Sequence, residues 1–200
     1  SNTAMGYLAL RYNTTASNNT AVGRSALTAN TTGTRNTALG KDALKTVVTG
    51  NYNTSVGYSS LSVNTASDNT ALGDQALEAN TSAANNTAIG RAAMKANTTG
   101  ADSTAVGKDA LTAQTTGGHN TAIGLASLDA LTTGEQNVAV GNFSLSALTT
   151  ASFNTAVGNN SLDANTTGTD NVGIGKDALG ANTTGGYNTA VGHSALGANT

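Results

Sequence analysis

Asn19-Thr20-Ala21-Val22-Gly23-Arg24-Ser25-Ala26-Leu27-Thr28-Ala29-Asn30-Thr31-Thr32-Gly33-Thr34-Arg35 is the stretch on which the fold turns, because it recurs along the whole chain. With its residues numbered as slots 1 to 17, the slot-5 glycine returns at Gly6, Gly23, Gly40, Gly57, Gly73, Gly90, Gly107, Gly124, Gly141, Gly158, Gly175 and Gly192. Ten of the eleven spacings are 17 residues, and one, Gly57 to Gly73, is 16. Self-similarity at a short fixed period marks a stack of like units, each touching only its neighbours. Residues 1–200 therefore read as a single continuous array of twelve coils, the last incomplete, and as a fragment of a longer fibre.

The variation among copies says what each slot tolerates. Slot 5 is always Gly, as a backbone conformation closed to other residues would require. Slot 4 is always a mid-sized apolar residue (Met5, Val22, Leu39, Val56, Leu72, Ile89 and so on), and slot 9 is Leu in every copy but one, where Met94 stands. Both are assigned to the interior. Slot 3 is Ala except at Ser55 and Gly173, and slot 8 is Ala or Ser. Slots 6, 7, 10, 16 and 17 carry Arg24, Lys41, Asp42, Glu78, Lys108, His119, Asp129, Tyr187 and His193, and are assigned to solvent. Slots 2 to 4 alternate with period two, as a half-buried strand does. Slots 8 to 11 read as a second short strand, with turn chemistry at Gly in slot 5 and at Asn-Thr-Thr-Gly in slots 12 to 15. The fold class is all-β: a parallel β-solenoid (β-roll) of 17-residue coils. Helix is disfavoured by the recurrence of Gly, Thr and Asn.

Composition narrows the function. Among 200 residues there are 24 Gly, 35 Thr, 2 Phe, no Trp, no Pro and no Cys, and charged residues are 10%. That supplies few of the large side chains that a closely packed enzyme core uses. The net charge of −2 provides no basic surface for nucleic acid or anionic lipid. Without Cys there are no disulfides and no thiolate sites. No apolar run is long enough to span a membrane.

A 17-residue coil encloses about two large side chains, so an isolated chain is poorly supplied with core. With Val22 pointing inward, Ala21 points outward, and the column Ala21, Ala38, Ser55, Ala71 and Ala88 lies on an outer face that admits nothing larger. That column is expected at the contact between chains, three of them closing a cyclic homotrimer. A turn folding over the column is the alternative.

The run Asn-Thr-Ala-Val-Gly-x-x-Ala-Leu resembles the head repeats of trimeric autotransporter adhesins of the YadA type. Val22-Gly23 with Ala26, Ile89-Gly90 with Ala93, and Ile123-Gly124 match the Ile-Gly and the small slot after it, and Gly33, Gly100 and Gly134 match a second glycine. The resemblance spans the chain, with 17-residue repeats where the adhesin repeats usually have 14 to 16. The Asn30-Thr31-Thr32 corner is similar to repeats of long bacteriophage tail fibres. The resemblance implies a left-handed β-roll in a homotrimer, an extracellular, cell-surface or virion location, and an adhesive or fibre role. A host-surface glycan or protein would then be engaged through regions outside the fragment. A binding module whose repetitive face engages glycan or ice is the alternative function.

No catalytic, cofactor-binding or metal-ligating set is read from the chain, and no cofactor is expected. His119 and His193 occupy different slots about four coils apart. Lys41-Asp42, Lys108-Asp109 and Lys176-Asp177 read as compensated charge at solvated corners, and Asp68, Asp74, Asp102, Asp129, Asp163 and Asp170 are scattered. Asn18-Asn19-Thr20 and the Asn-Thr-Thr runs beginning at Asn30, Asn97, Asn165 and Asn182 are formal glycosylation acceptors, read primarily as turn caps. The Thr pairs of slots 13 and 14 suggest a surface ladder able to order water. Val47, Leu131 and Leu148, which replace the slot-12 Asn, read as exposed corners that meet a neighbour. Tyr7, Tyr12, Tyr52, Tyr58 and Tyr187 form no single column.

Overall fold

Threonine, alanine and a branched aliphatic residue in slots 2 to 4 favour extended backbone, and each coil contributes one short strand there. The computed structural model describes residues 1–198. Twelve strands, from β1 (Asn2–Met5) and β2 (Asn19–Val22) through β3 (Thr37–Leu39) and β4 (Thr54–Val56) to β12 (Thr189–Val191), form one parallel sheet in sequence order. The register is slot on slot throughout: Ala21 pairs with Ala38, and Val22 with Leu39. It holds across the short coil, where Ser55 pairs with Ala71. The missing residue was absorbed in the Asn64–Ala66 corner, where Asn64 Oδ1 accepts from Ala66 N–H at 3.2 Å.

Bonds between coils continue beyond the strands. Ser25 N–H donates to Tyr7 O of the preceding coil at 2.8 Å, Leu27 to Ala43 O of the next at 3.1 Å, and Ala29 to Lys45 O at 3.1 Å. Bonds along the rod axis thus alternate with bonds inside the coil, such as Ala26 N–H to Gly23 O and Asn30 N–H to Leu27 O. The slot-5 glycine stands at the first corner with φ between 128° and 144°. A Cβ on Gly23 would lie 2.5 Å from Gly40 O, so both conformation and space exclude a side chain.

Slots 8 to 11 differ from the expected second strand. They are turns in every coil, with left-handed backbone at slots 7 and 9, as at Ser25 (φ 59°) and Leu27 (φ 50°). Leucine in that region costs roughly 1–2 kcal/mol. The conformation persists because the slot-9 side chains from Leu10 to Leu179 are buried and their N–H groups are bonded between coils.

The interior also inverts the expected assignment. Slot 3 faces inward: Ala21, Ala38, Ser55, Ala71, Ala88, Ala105, Ala122, Ala139 and Ala156 are all 0% exposed. Slot 4 faces outward, with Leu39 47%, Leu72 46% and Ile123 40% exposed. The reason is the width of the coil. At Gly173, a slot-3 residue, an added Cβ would lie 2.7 Å from Ser161 Oγ and 3.2 Å from Leu162 Cγ. Slot 3 therefore lies directly opposite slots 8 and 9, where alanine fits and valine does not. Leu27, Leu44, Leu61, Leu77, Met94 and Leu111 continue the slot-9 column through the centre.

Two asparagine columns complete the interior, and the second, slot 12, lies where a turn was expected. Slot 1 is buried: Asn36 N–H donates to Asn19 Oδ1 at 2.8 Å, and Asn36 Nδ2 to Gly50 O at 2.7 Å. Slot 12 is buried as well, with Asn97 Nδ2 donating to Asn80 Oδ1 at 3.0 Å and to Gly100 O at 2.9 Å. Buried amides are tolerated when their groups are paired, and identical amides one coil apart pair with each other. Val47, Leu131 and Leu148 accordingly sit inside at 0% exposure, which corrects their reading as exposed corners.

Candidate interaction surface

Because slots 1 and 3 point inward, slots 2 and 4 of each strand point outward. Their stacking produces one face of β-branched and aliphatic side chains running the length of the sheet. Thr20, Thr37, Thr54 and their equivalents form one column, and Val22, Leu39, Val56, Leu72, Ile89, Val106 and Ile123 form the other. Slots 17 and 6 flank this face at the two strand ends.

The ionisable residues lie on the corners. Lys41 Nζ is 2.9 Å from Asp42, Lys108 Nζ 3.1 Å from Asp109, and Lys176 Nζ 3.1 Å from Asp177. The hydrogen bond from Lys41 holds the Asp42 carboxyl below its ordinary range, and the same bond raises Lys41. The three pairs are thus local charge compensation. Burial pushes the Asp129 and Asp163 carboxyls of slot 10 up, each against hydrogen bonds from its own backbone and that of the following alanine, Ala130 or Ala164. His193 Nε2 lies 3.9 Å from Asp177, while His119 closes the seventh coil and His193 stands in the twelfth. Asp177 also borders, with Asp163 and Ser194, a shallow hollow left where slot 10 becomes Gly180 and Gly197. Among the described residues no group of three or more His, Asp or Glu is placed to hold a metal ion.

Other sequence-level candidates are resolved by burial. The acceptor asparagines Asn30, Asn97, Asn165 and Asn182 are 0% exposed and serve the interior ladder, whereas Asn18 is exposed. The slot-13 threonines form a ladder, but one turned along the rod: Thr98 Oγ1 donates to Thr115 O at 2.9 Å, and Thr132 Oγ1 to Thr149 O at 3.0 Å. Their hydroxyl protons are committed to the next coil, whereas the slot-14 threonines Thr99, Thr116 and Thr133 beside them are exposed.

What sequence reasoning missed is the outward apolar column. The signal was present as the invariably aliphatic slot 4, but period two alone does not say which alternate residue is inside. No family model matches the chain, and neither a curated protein nor a solved structure does.

Proposed function

We propose that the chain is a non-catalytic rod segment of an extracellular fibre, on a cell surface or a virion, assembled as a parallel homotrimer that holds a binding tip away from that surface. The observation that carries this reading is the exposed slot-4 column on an uninterrupted sheet face. Eight of its twelve side chains are between 36% and 68% exposed, and they form one continuous apolar stripe along the sheet, the kind of surface that marks an interaction site. A second copy fits this surface because it brings the same narrow column at the same spacing. Strands of three residues span only about 10 Å, and three such narrow faces turned toward a common axis close a triangular core that one Thr and one aliphatic side chain per chain can fill at each level. Cyclic closure also leaves no further copy to recruit. The trimer expected from the sequence is retained, with its contact moved from slot 3 to slot 4.

The role follows from the same architecture. A stack bonded along its axis extends for as long as the repeat does, and its outward chemistry is uniform, as a spacer requires. The test is the solution mass by light scattering of the chain and of Ile89→Glu/Ile123→Glu. Three chains are expected for the first, and one chain with an unchanged β-sheet circular dichroism spectrum for the second. A wild-type mass of one chain would overturn the reading.

A further inference from the structure

Aromatic residues flank the outward face at several strands, among them Tyr7, Phe153 and Tyr187, but β3 and β4 combine them with cations. There, both ends of the strands carry a cation against an aromatic ring. At the slot-17 end, Arg35 Nη1 donates to Tyr52 Oη at 2.6 Å, with the guanidinium carbon 5.2 Å from the ring centroid. At the slot-6 end, Lys41 Nζ lies 4.5 Å from the Tyr58 centroid. Both tyrosines are about half exposed. Arg35 has no carboxylate within ion-pair distance among the described residues, whereas Lys41 is shared with Asp42. β4 is the one strand with tyrosine at both ends. The same levels hold the short coil and the exposed Val48 and Val63.

Rotation about an axis parallel to the rod carries the slot-17 edge of one copy against the slot-6 edge of the next, at the same level. On the trimeric reading above, each groove between copies is therefore lined by Arg35 and Tyr52 from one protomer and by Lys41 and Tyr58 from its partner. Two half-exposed rings offer flat faces for the C–H face of a pyranose. The guanidinium fork retains donors for two oxygens of one anionic group and binds them in bidentate fashion, as a lysine does not. Neither half alone offers both rings and the free guanidinium.

We propose that this groove is a binding site for an anionic saccharide, one occurring at each junction between copies. The acidic group lies on Arg35 with Lys41 of the adjoining protomer nearby, and the sugar ring stacks between Tyr52 and Tyr58. The shared ligand chemistry is an anion on a pyranose, supplied either by a uronic acid carboxylate or by a sulfate ester.

The experiment titrates the assembled protein, with its mass verified in the same buffer, against a galacturonate hexamer, a heparin hexasaccharide and neutral maltohexaose by calorimetry. Binding of at least one anionic hexamer and no detectable binding of maltohexaose are expected, and the two anionic arms separate carboxylate from sulfate. Arg35→Ala and Tyr58→Ala are each expected to weaken binding tenfold or more, and Arg35→Lys several-fold, with the mass unchanged. A mixed assembly of Arg35→Ala and Lys41→Ala chains regains about a quarter of the wild-type sites, because random cyclic mixing leaves that share of junctions with both cations. An assembled protein that binds none of the probes, or binds maltohexaose equally, overturns this proposal and leaves the rod intact. No recovery on mixing overturns the shared site. A mass of one chain overturns the rod reading first.

Discussion

Replacing Val47 by asparagine should stabilise the rod, and replacing Asn97 by valine should destabilise it, although both changes fall in what reads as the same polar corner. In the slot-12 column each amide donates to the carbonyl oxygen of the amide one coil earlier, as Asn80 does to Asn64 at 2.8 Å and Gln114 to Asn97 at 3.2 Å. Val47 interrupts that ladder, and Asn30 Oδ1 is left buried without a partner. A buried unpaired acceptor costs roughly 1–3 kcal/mol. Val47→Asn supplies its donor and a bond to the Gly50 carbonyl, while giving up about 1.5 kcal/mol of valine burial. The net expectation is a gain of about 1 kcal/mol. Asn97→Val removes the donors to Asn80 Oδ1 and Gly100 O and the acceptor of Gln114. Several unpaired groups, partly offset by the valine, give a loss of about 2–4 kcal/mol. Urea denaturation followed by circular dichroism at one fixed protein concentration reads the shifts. With a slope near 2 kcal/mol/M, the midpoint rises by about 0.5 M for the first variant and falls by about 1–2 M for the second. An exposed corner would confine both to about 0.5 kcal/mol. Two midpoints equal to wild type would therefore refute the buried ladder, and two shifts of the same sign would refute its pairing rule.

Two further outcomes follow from the inside–outside assignment and from the titrating corners. Leu111→Ala, at the centre of the coil, should cost about 2–5 kcal/mol, whereas Leu72→Ala, 46% exposed in the single chain, should cost under about 1 kcal/mol in a Glu-disrupted monomer; equal losses in denaturant titrations would contradict the assignment. Burial raises the folded pKa values of the Asp129 and Asp163 carboxyls above the ordinary 3.8, so their protonation favours the folded state below that value, and this contribution is lost as pH rises through the raised values. Melting temperature measured across mildly acid pH should therefore fall more steeply with rising pH in wild type than in Asp129→Asn/Asp163→Asn. Asp42 acts in the opposite sense, since its lowered pKa contributes stability above 3.8 that is lost on acidification.

Much of the fold was legible because repetition supplied its own controls. Twelve copies of Gly in slot 5 pointed to a backbone constraint, and the structure shows a φ and a carbonyl contact that exclude any other residue. The coil length, the slot-on-slot register and the slot-9 core followed from periodicity. Other features were hidden for definite reasons. Asparagine in slots 1 and 12 obeys the local rule for turns, but its pairing partner lies 17 residues away and exists only once the coils stack. Leucine with left-handed backbone contradicts local propensity, and only burial and bonds between coils make it tolerable.

The candidate surface was legible only as composition. An aliphatic slot 4 and a small slot 3 are written plainly in the residues, as are the tyrosines and cations that flank β3 and β4. By itself the sequence determined that one of each alternating pair lies inside, that the coils superimpose, and that the chemistry of the corners is sparse. Only the tertiary structure decided which of the pair is inside. Alternation carries no sign, and the space between a strand and the turn segment facing it admits a methyl group but not a branched side chain. The larger residue is thereby left on the surface, where a second chain can cover it.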